Sequence, residues 1–162
     1  NTALNGQIIS HKIFNKKGIK IGVFGLGIEL AGLVDPKLYK ETLYTNPIRV
    51  ANEQASLLKN KLNCDLIVCL SHLGYSYESK KVSDRVLARE TTNIDLIIGG
   101  HTHTFLKEPK LLENKEGNEV LVNQVGFGAL KLGKVDFYFE KSTHKKKHKS
   151  TSICIKNEVK ST

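Results

Sequence analysis

The sequence predicts an α/β fold, in which helices cover a mostly parallel β-sheet, and three observations lead to that prediction. Residues 19–25, 65–70 and 95–98 are almost entirely apolar and rich in β-branched side chains, as strands buried on both faces are. Residues 47–62 and 81–92 lie between these runs and have the apolar spacing of helices. Strands that alternate with helices in this order are typical of a parallel sheet, because parallel strands need crossover connections.

The individual elements follow from local signals along the chain. Isoleucines and a phenylalanine within residues 8–14 predict a short first strand, which ends in a turn at residues 16–18. Asn46 before Pro47 predicts a helix start, because the asparagine side chain caps free N–H groups and proline suits the first helical position. The apolar face of this helix is expected to comprise Ile48, Ala51, Ala55, Leu58 and Leu62. In the second helix, the inward residues are expected to be Val82, Val86 and Leu87.

The pattern changes after residue 104. Residues 120–125 and 131–140 have the composition of strands separated by glycines, and they predict an antiparallel meander that closes the sheet. Residues 141–149 are rich in lysine and histidine and predict a solvated turn or linker. Residues 151–155 are predicted to form a last edge strand.

Composition excludes several classes of protein. A chain of 162 residues that is 40% hydrophobic has enough apolar content for the core of one domain. Its longest uncharged apolar run, residues 21–26, is far shorter than the ~20 residues that span a bilayer. An odd number of cysteines argues against a disulfide scaffold, and Cys64, Cys69 and Cys154 are expected to pack in the interior. Most of the net charge of +9 lies in the lysines of residues 141–162.

Three of the six histidines follow strands directly. His72 comes after the strand at 65–70, and His101 and His103 come after the strand at 95–98. If these strands are parallel neighbours, all three side chains lie at the carboxyl edge of the sheet, where open α/β sheets bind ligands. Neutral imidazole is a common metal ligand, although a single histidine at a strand end is ordinarily a surface residue. Surface positions are expected for His11, His144 and His148.

Two motifs carry a resemblance to a known family. Ser71-His72-Leu73-Gly74 and Gly100-His101-Thr102-His103, with supporting matches at 21–26, 122–128 and 132–133, resemble the calcineurin-like metallophosphoesterases. The similarity is greatest to the bacterial 5′-nucleotidase and UDP-sugar hydrolase branch. It implies that residues 1–140 form the carboxyl half of a layered α/β/β/α sandwich, a partial domain, and that 141–162 add a basic turn and an edge strand.

The resemblance also implies a chemistry. Members of the family hold two divalent ions, which can be Zn, Mn, Fe, Co or Mg, and hydrolyse phosphate esters such as nucleotides by attack of a bridging hydroxide. By position, His72 and His101 would bind one ion and His103 the other, while Asn123 and Gly126 would lie in a loop that lines the substrate. Relatives in this branch are often exported, which implies a periplasmic or envelope location.

Three further motifs of the family do not occur in the sequence. They are Asp-x-His, Gly-Asp and Gly-Asn-His-Asp/Glu, and they supply the other metal ligands and a phosphate contact. We expect them upstream of Asn1, in a missing amino-terminal half of the domain that would be the partner of this chain. The chain alone is therefore expected to have little or no phosphatase activity.

Two other functions have partial support in the sequence. Gly25 and Gly27 after a strand are a partial dinucleotide-binding motif, but Leu30 occupies the position of the third glycine and Pro36 interrupts the following helix. The lysines at 145–147 are a candidate polyanion-binding tail of a non-catalytic fragment, although lysine-rich turns are usually only solvated. Neither a nucleic-acid partner nor a membrane span is expected.

Overall fold

The computed structural model describes residues 6–140 and 146–155, and it confirms the α/β fold class. Six strands form one mixed sheet: β1 (His11–Lys16), β2 (Ile19–Leu26), β3 (Leu66–Ser71), β4 (Leu96–Ile98), β5 (Lys110–Glu113) and β6 (Glu119–Asn123). The helical segments are α1 (Pro36–Tyr39), α2 (Pro47–Ser56), which continues as a π-helical turn over Leu57–Lys61, and α3 (Asp84–Glu90). Among the described residues, no helix combines the length and the apolar character needed to cross a bilayer.

The strand order β1-β2-β3-β4-β6-β5 sets the position of the strand ends. Strands β2, β3, β4 and β6 run parallel, and the two outer strands pair antiparallel to their neighbours. Gly25, Leu70, Ile98 and Asn123 lie in one row across the four parallel strands. The loops that follow β2, β3, β4 and β6 therefore leave the sheet side by side at one edge.

Helices α2 and α3 cover one face of this sheet. The side chains that they bury completely are Ala51 and Ala55 of α2, Leu58 of its π-helical continuation, and Leu87 of α3. The helical spacing of the sequence predicts these four positions. The sheet side chains that they meet include Ile67, Cys69, Ile97, Val120 and Val122. Small residues bring helix and sheet close together, since a Cβ atom at Gly22 would lie 2.9 Å from a methyl carbon of Leu58.

The start of α2 confirms the predicted cap. The Asn46 side-chain oxygen accepts hydrogen bonds from the N–H groups of Ile48 and Arg49, at 3.0 and 3.1 Å. We expect Asn46→Ala to lower the free energy of unfolding by about 1 kcal/mol, because these N–H groups lose their partner. Urea denaturation of the full chain measures this, with Asn46→Ser as the control that keeps a capping oxygen. Equal losses in both variants would contradict the assignment.

A second sheet covers the other face. Strands β7 (Lys131–Phe139) and β8 (Lys146–Cys154) pair antiparallel, and Val135, Phe137 and Phe139 pack against Leu66, Val68, Leu96 and Leu121 of the first sheet. An ion pair between Lys146 and Asp95 also joins the two sheets. The order of layers is therefore helices, mixed sheet and two-stranded sheet.

The structure corrects four expectations for the second half of the chain. The predicted single meander is wrong, because β6 runs parallel to β4 in the first sheet while β7 belongs to the second. The predicted turn over 141–149 is wrong for its last four residues, since β8 begins at Lys146. The predicted edge strand is thus longer than 151–155 and ends at Cys154. That cysteine is exposed rather than packed, whereas Cys64 and Cys69 are buried as expected.

Three histidines were predicted to lie at the surface. His148 is exposed and its ring lies beside Phe137, whereas His11 is half-buried and its Nδ1 atom is hydrogen-bonded to the Ser10 hydroxyl. His144 lies outside the described residues, as do Lys141 and Lys145.

Candidate functional site

The loops after β3 and β4 bring two of the predicted histidines together. The His72 N–H donates a hydrogen bond of 2.9 Å to the Leu26 carbonyl at the end of β2, so this residue starts its loop at the sheet edge. His101 lies in the loop that follows the neighbouring strand β4. The ring centroids of His72 and His101 are 5.2 Å apart in an edge-on arrangement. His72 is exposed and His101 is half-buried. Both imidazoles therefore lie together at the carboxyl edge of the sheet.

The conformation of the second loop differs from the one that its glycines suggest. Its left-handed residues are His101 and His103, with φ values of 73° and 53°, rather than Gly99 or Gly100. The two glycines instead leave room for neighbours. A Cβ atom at Gly99 would lie 2.1 Å from Oδ2 of Asp84, and one at Gly100 would lie 3.0 Å from Nδ1 of His72.

The surroundings of His101 favour its neutral form. Partial burial lowers the pKa of His101, and the positive charges of His72, Lys81 and His103 lower it further. A neutral imidazole offers a nitrogen lone pair, which is the form that binds metal ions.

His103 lies beside aromatic side chains. Its ring centroid is 5.0 Å from that of Phe127, and Phe127 in turn lies 5.7 Å from Phe105. Gly126 has a φ of 80°, and a Cβ atom there would lie 2.2 Å from the Phe105 ring. The glycine thus allows the loop after β6 to close against Phe105 next to His103.

Asn123 ends β6 in the same row as the ends of β3 and β4. It is 8% exposed, and its side-chain nitrogen would lie 2.7 Å from a Cβ atom at Gly133 of β7. Its carbonyl oxygen accepts a hydrogen bond of 2.8 Å from the N–H of Gly99. The side chain therefore packs toward the second sheet, while the backbone supports the histidine loop.

Two buried polar residues, Asp84 and Gln124, support the histidine loops, and the sequence analysis missed both. The Ser71 hydroxyl donates a hydrogen bond of 2.5 Å to Oδ1 of Asp84 and accepts one of 3.2 Å from the N–H of Leu73. The N–H of Asp84 donates to the Gly74 carbonyl, so Asp84 contacts both sides of His72 along the chain. Burial raises the pKa of Asp84 to about 7, and the hydrogen bond from Ser71 opposes this shift.

Local sequence gives little indication of these roles. Asp84 follows Ser83 at a helix start, where an acidic side chain is common because it suits the helix dipole. Gln124 lies within the largely apolar segment 120–125, and the polar pair that it forms with Asn123 in such a run is the only signal of its buried contacts.

The chain is similar in sequence to known nucleotide hydrolases. It is 30% identical over 124 residues to the trifunctional nucleotide phosphoesterase YfkN of Bacillus subtilis, an alignment that covers 76% of this chain and 8% of that protein. It is 35% identical over 111 residues to a 5′-nucleotidase of Vibrio parahaemolyticus, covering 64% of this chain and 19% of the relative. This chain is a homologue of the 5′-nucleotidases and calcineurin-like phosphoesterases. No protein-family model matches the sequence.

The fold of this chain agrees with the sequence similarity. It superposes on the 5′-nucleotidase precursor of Thermus thermophilus with a TM-score of 0.75 and 24% identity, covering 94% of this chain and 31% of that structure. The chain thus spans less than a third of the length of each of these three proteins.

The donor atoms of this chain fit part of a metal site. His72 and His101 present neighbouring imidazole rings, and imidazole nitrogen is a ligand that Zn, Mn, Fe and Co accept. Within residues 6–140 and 146–155, no group of three or more histidine, cysteine or acidic side chains is arranged to hold an ion by itself. The histidines therefore suit a shared donor set that needs further ligands.

The other two candidate functions gain no support from this region. The backbone after β2 runs from residue 27 to residue 35 without a helix, so Gly25 and Gly27 lack the helix start that holds a dinucleotide phosphate. Of the lysines at 145–147, Lys146 is paired with Asp95 and Lys147 lies in β8.

Proposed function

We propose that this chain supplies His72, His101 and His103 to the two-metal site of a phosphoesterase that hydrolyses phosphate esters, nucleotides in particular. The observation that carries the proposal is the 5.2 Å approach of the His72 and His101 rings at the carboxyl edge of a sheet. The similarity to a 5′-nucleotidase and to a nucleotide phosphoesterase supports the substrate class.

In this proposal each side chain has a separate task. His72 and His101, whose rings lie together, would hold one divalent ion, and His103, whose ring lies beside Phe127, would hold the second. Two divalent ions, when bound, polarise the phosphoryl oxygens and lower the pKa of a water molecule. Gly126 belongs to the loop after β6, which would face the substrate, and Asn123 at the end of β6 would support the histidine loop through its backbone carbonyl.

The remaining ligands come from outside the 162 residues in this proposal. Divalent ions of these kinds also take carboxylate ligands, and the three histidines do not provide one. We propose that an amino-terminal half of the domain supplies it, and that the protein works in the periplasm or cell envelope. The identity of the metal is a further part of the proposal, with Zn, Mn, Fe, Co and Mg as the candidates.

A Zn²⁺ titration of the full chain tests the histidine assignment. We expect binding in calorimetry together with shifts of the His72 and His101 imidazole signals in NMR spectra. His101→Ala should weaken this binding at least about tenfold, because it removes one of the two imidazoles that lie together at the sheet edge. His148→Ala is the control, since His148 lies on β8 beside Phe137. Equal weakening by both substitutions, or no binding by the wild-type chain, would contradict the proposal.

Phosphatase assays of the isolated chain test the requirement for further ligands. With Mn²⁺ and either a nucleoside monophosphate or p-nitrophenyl phosphate, we expect no hydrolysis above the rate without protein. Measurable hydrolysis that is lost in His101→Ala would show that the chain assembles a working site without another half.

A further inference from the structure

We propose that Gln124 is a positioning residue that holds His101 and His103 in the backbone conformation needed for metal binding. The inference rests on the proposed function, because only there are these histidines ligands. In this proposal, one buried amide at the end of β6 connects the loop of His101 and His103 with the loop of His72.

The contacts of Gln124 enclose both histidines along the chain. Its side-chain nitrogen donates a hydrogen bond of 2.8 Å to the Gly100 carbonyl, directly before His101. Its side-chain oxygen accepts a hydrogen bond of 3.1 Å from the Thr102 hydroxyl, between the histidines, and another from the N–H of Thr104, directly after His103. One side chain thus contacts the loop at every second residue from 100 to 104.

This loop needs an external support. Non-glycine residues with positive φ are strained, and His101 and His103 both have that conformation, at 73° and 53°. Gln124 is 1% exposed and the loop residues that it contacts are half-buried, so water replaces these hydrogen bonds less readily than it would at an open surface. Loss of the amide would deprive the half-buried Gly100 carbonyl and Thr104 N–H of this partner, and the loop would gain by relaxing toward another conformation.

The same contacts extend to the loop that carries His72. The Thr102 hydroxyl accepts a hydrogen bond of 2.9 Å from the N–H of Tyr75 while it donates to Gln124. Tyr75 follows Gly74, whose carbonyl is held by the N–H of Asp84. Through Thr102, Gln124 therefore fixes the distance between the two loops as well as the shape of one.

An amide suits this position better than other side chains of its length. The three partners require one donor and two acceptor directions, and a glutamine side chain provides both functions. Methionine has nearly the same length and volume and provides no comparable hydrogen bonds. Gln124→Met is thus a substitution that removes the contacts with little change in packing.

The experiment combines Zn²⁺ affinity with a readout that needs no metal. In the full chain, Gln124→Met is expected to weaken Zn²⁺ binding at least about tenfold, the size of effect found for residues that orient metal ligands. In metal-free protein it is expected to shift the backbone NMR signals of His101 and His103. Unchanged affinity together with unchanged signals in the folded variant would overturn the proposal.

The matched control is Asn114→Leu. The Asn114 side chain is also buried and accepts hydrogen bonds from two backbone N–H groups, of Glu116 and Asn118, in a turn between β5 and β6. We expect it to lower stability while it leaves Zn²⁺ affinity within about twofold and the histidine signals in place. Equal losses of affinity in Asn114→Leu and Gln124→Met would overturn a specific role for Gln124.

Thr102→Val covers the case in which Gln124→Met does not fold. It removes the hydroxyl that joins Gln124 to Tyr75 with almost no change of shape, and we expect a smaller loss of Zn²⁺ affinity with shifted His101 signals. Unchanged signals and affinity would count against the proposal. If wild-type protein does not bind Zn²⁺, the proposed function fails, and the metal-free NMR comparison alone decides the role of Gln124.

Discussion

Gly99→Ala is expected to lower the free energy of unfolding by about 3 kcal/mol, because the added methyl group has no space. Its Cβ atom would lie 2.1 Å from Oδ2 of Asp84 and 3.1 Å from the side-chain nitrogen of Gln124. Asp84 is fully buried in the first turn of α3 and is held by Ser71, so it cannot move away without loss of that hydrogen bond. The substitution therefore disturbs both supports of the histidine loops.

Gly25→Ala provides the control for this prediction. Gly25 lies in the same row of the sheet as the end of β4, and the nearest atom to its Cβ position is the Leu70 carbonyl oxygen at 3.8 Å, an ordinary contact. We expect a change within about 0.5 kcal/mol for this variant. Urea denaturation of both proteins measures the difference. Similar losses would mean that the contact with Asp84 does not limit the size of residue 99.

Asp84→Asn is expected to remove a large part of the pH dependence of stability. The pKa of Asp84 rises from 3.8 to about 7 on folding, chiefly because the carboxyl group is buried. Between those two pH values the folded chain keeps a proton that the unfolded chain has lost, so the free energy of unfolding falls as the pH rises. A shift of roughly three pKa units corresponds to at most about 4 kcal/mol.

The sign of this effect separates Asp84 from an ordinary surface carboxyl group. Its stabilising contribution is complete below pH 3.8 and is lost as the pH rises through about 7. Asparagine keeps an oxygen that accepts the Ser71 hydrogen bond and does not ionise, so Asp84→Asn should be the more stable protein at pH 8.

The measurement is urea denaturation of both proteins at several pH values from 4 to 8. The difference between the two curves isolates Asp84, because every other ionisable group is common to both proteins. Ser71→Ala is a second test: it removes the hydrogen bond that lowers the pKa of Asp84, so the loss of stability should extend to higher pH. Parallel curves for wild type and Asp84→Asn would refute the assignment.

Local sequence predicts the positions of the site residues that directly follow strands. His72 and His101 directly follow apolar runs, and parallel pairing of those runs brings the two rings together. The cap at Asn46, the buried face of α2 and the burial of Leu87 in α3 were predictable for the same reason, since the signals lie within a few residues of each element. Of the other two predicted inward residues, Val82 lies before α3 and Val86 is half-buried.

Strand partners were less predictable. The apolar and β-branched character of residues 120–125 indicates a strand, but a strand has two edges and nothing local selects its neighbour. The pairing of β6 with β4 depends on the whole sheet, and the separate second sheet depends on the apolar face that Val135, Phe137 and Phe139 cover. The exposed Cys154 is the last residue of β8, where it pairs with Lys131.

The sequence by itself determined the alternation of strands and helices from β1 to β4, the helix cap, and the place of His72 and His101 at one sheet edge, because each depends on neighbouring residues or a repeating pattern. Tertiary structure alone decided the strained conformation of His101 and His103, the raised pKa of Asp84 and the contacts of Gln124. These depend on burial and on hydrogen bonds between residues far apart in the chain. The free energy of a buried polar group depends on how much of its hydration it loses and on which hydrogen-bond partner replaces the water. Both are known only once the chain has packed.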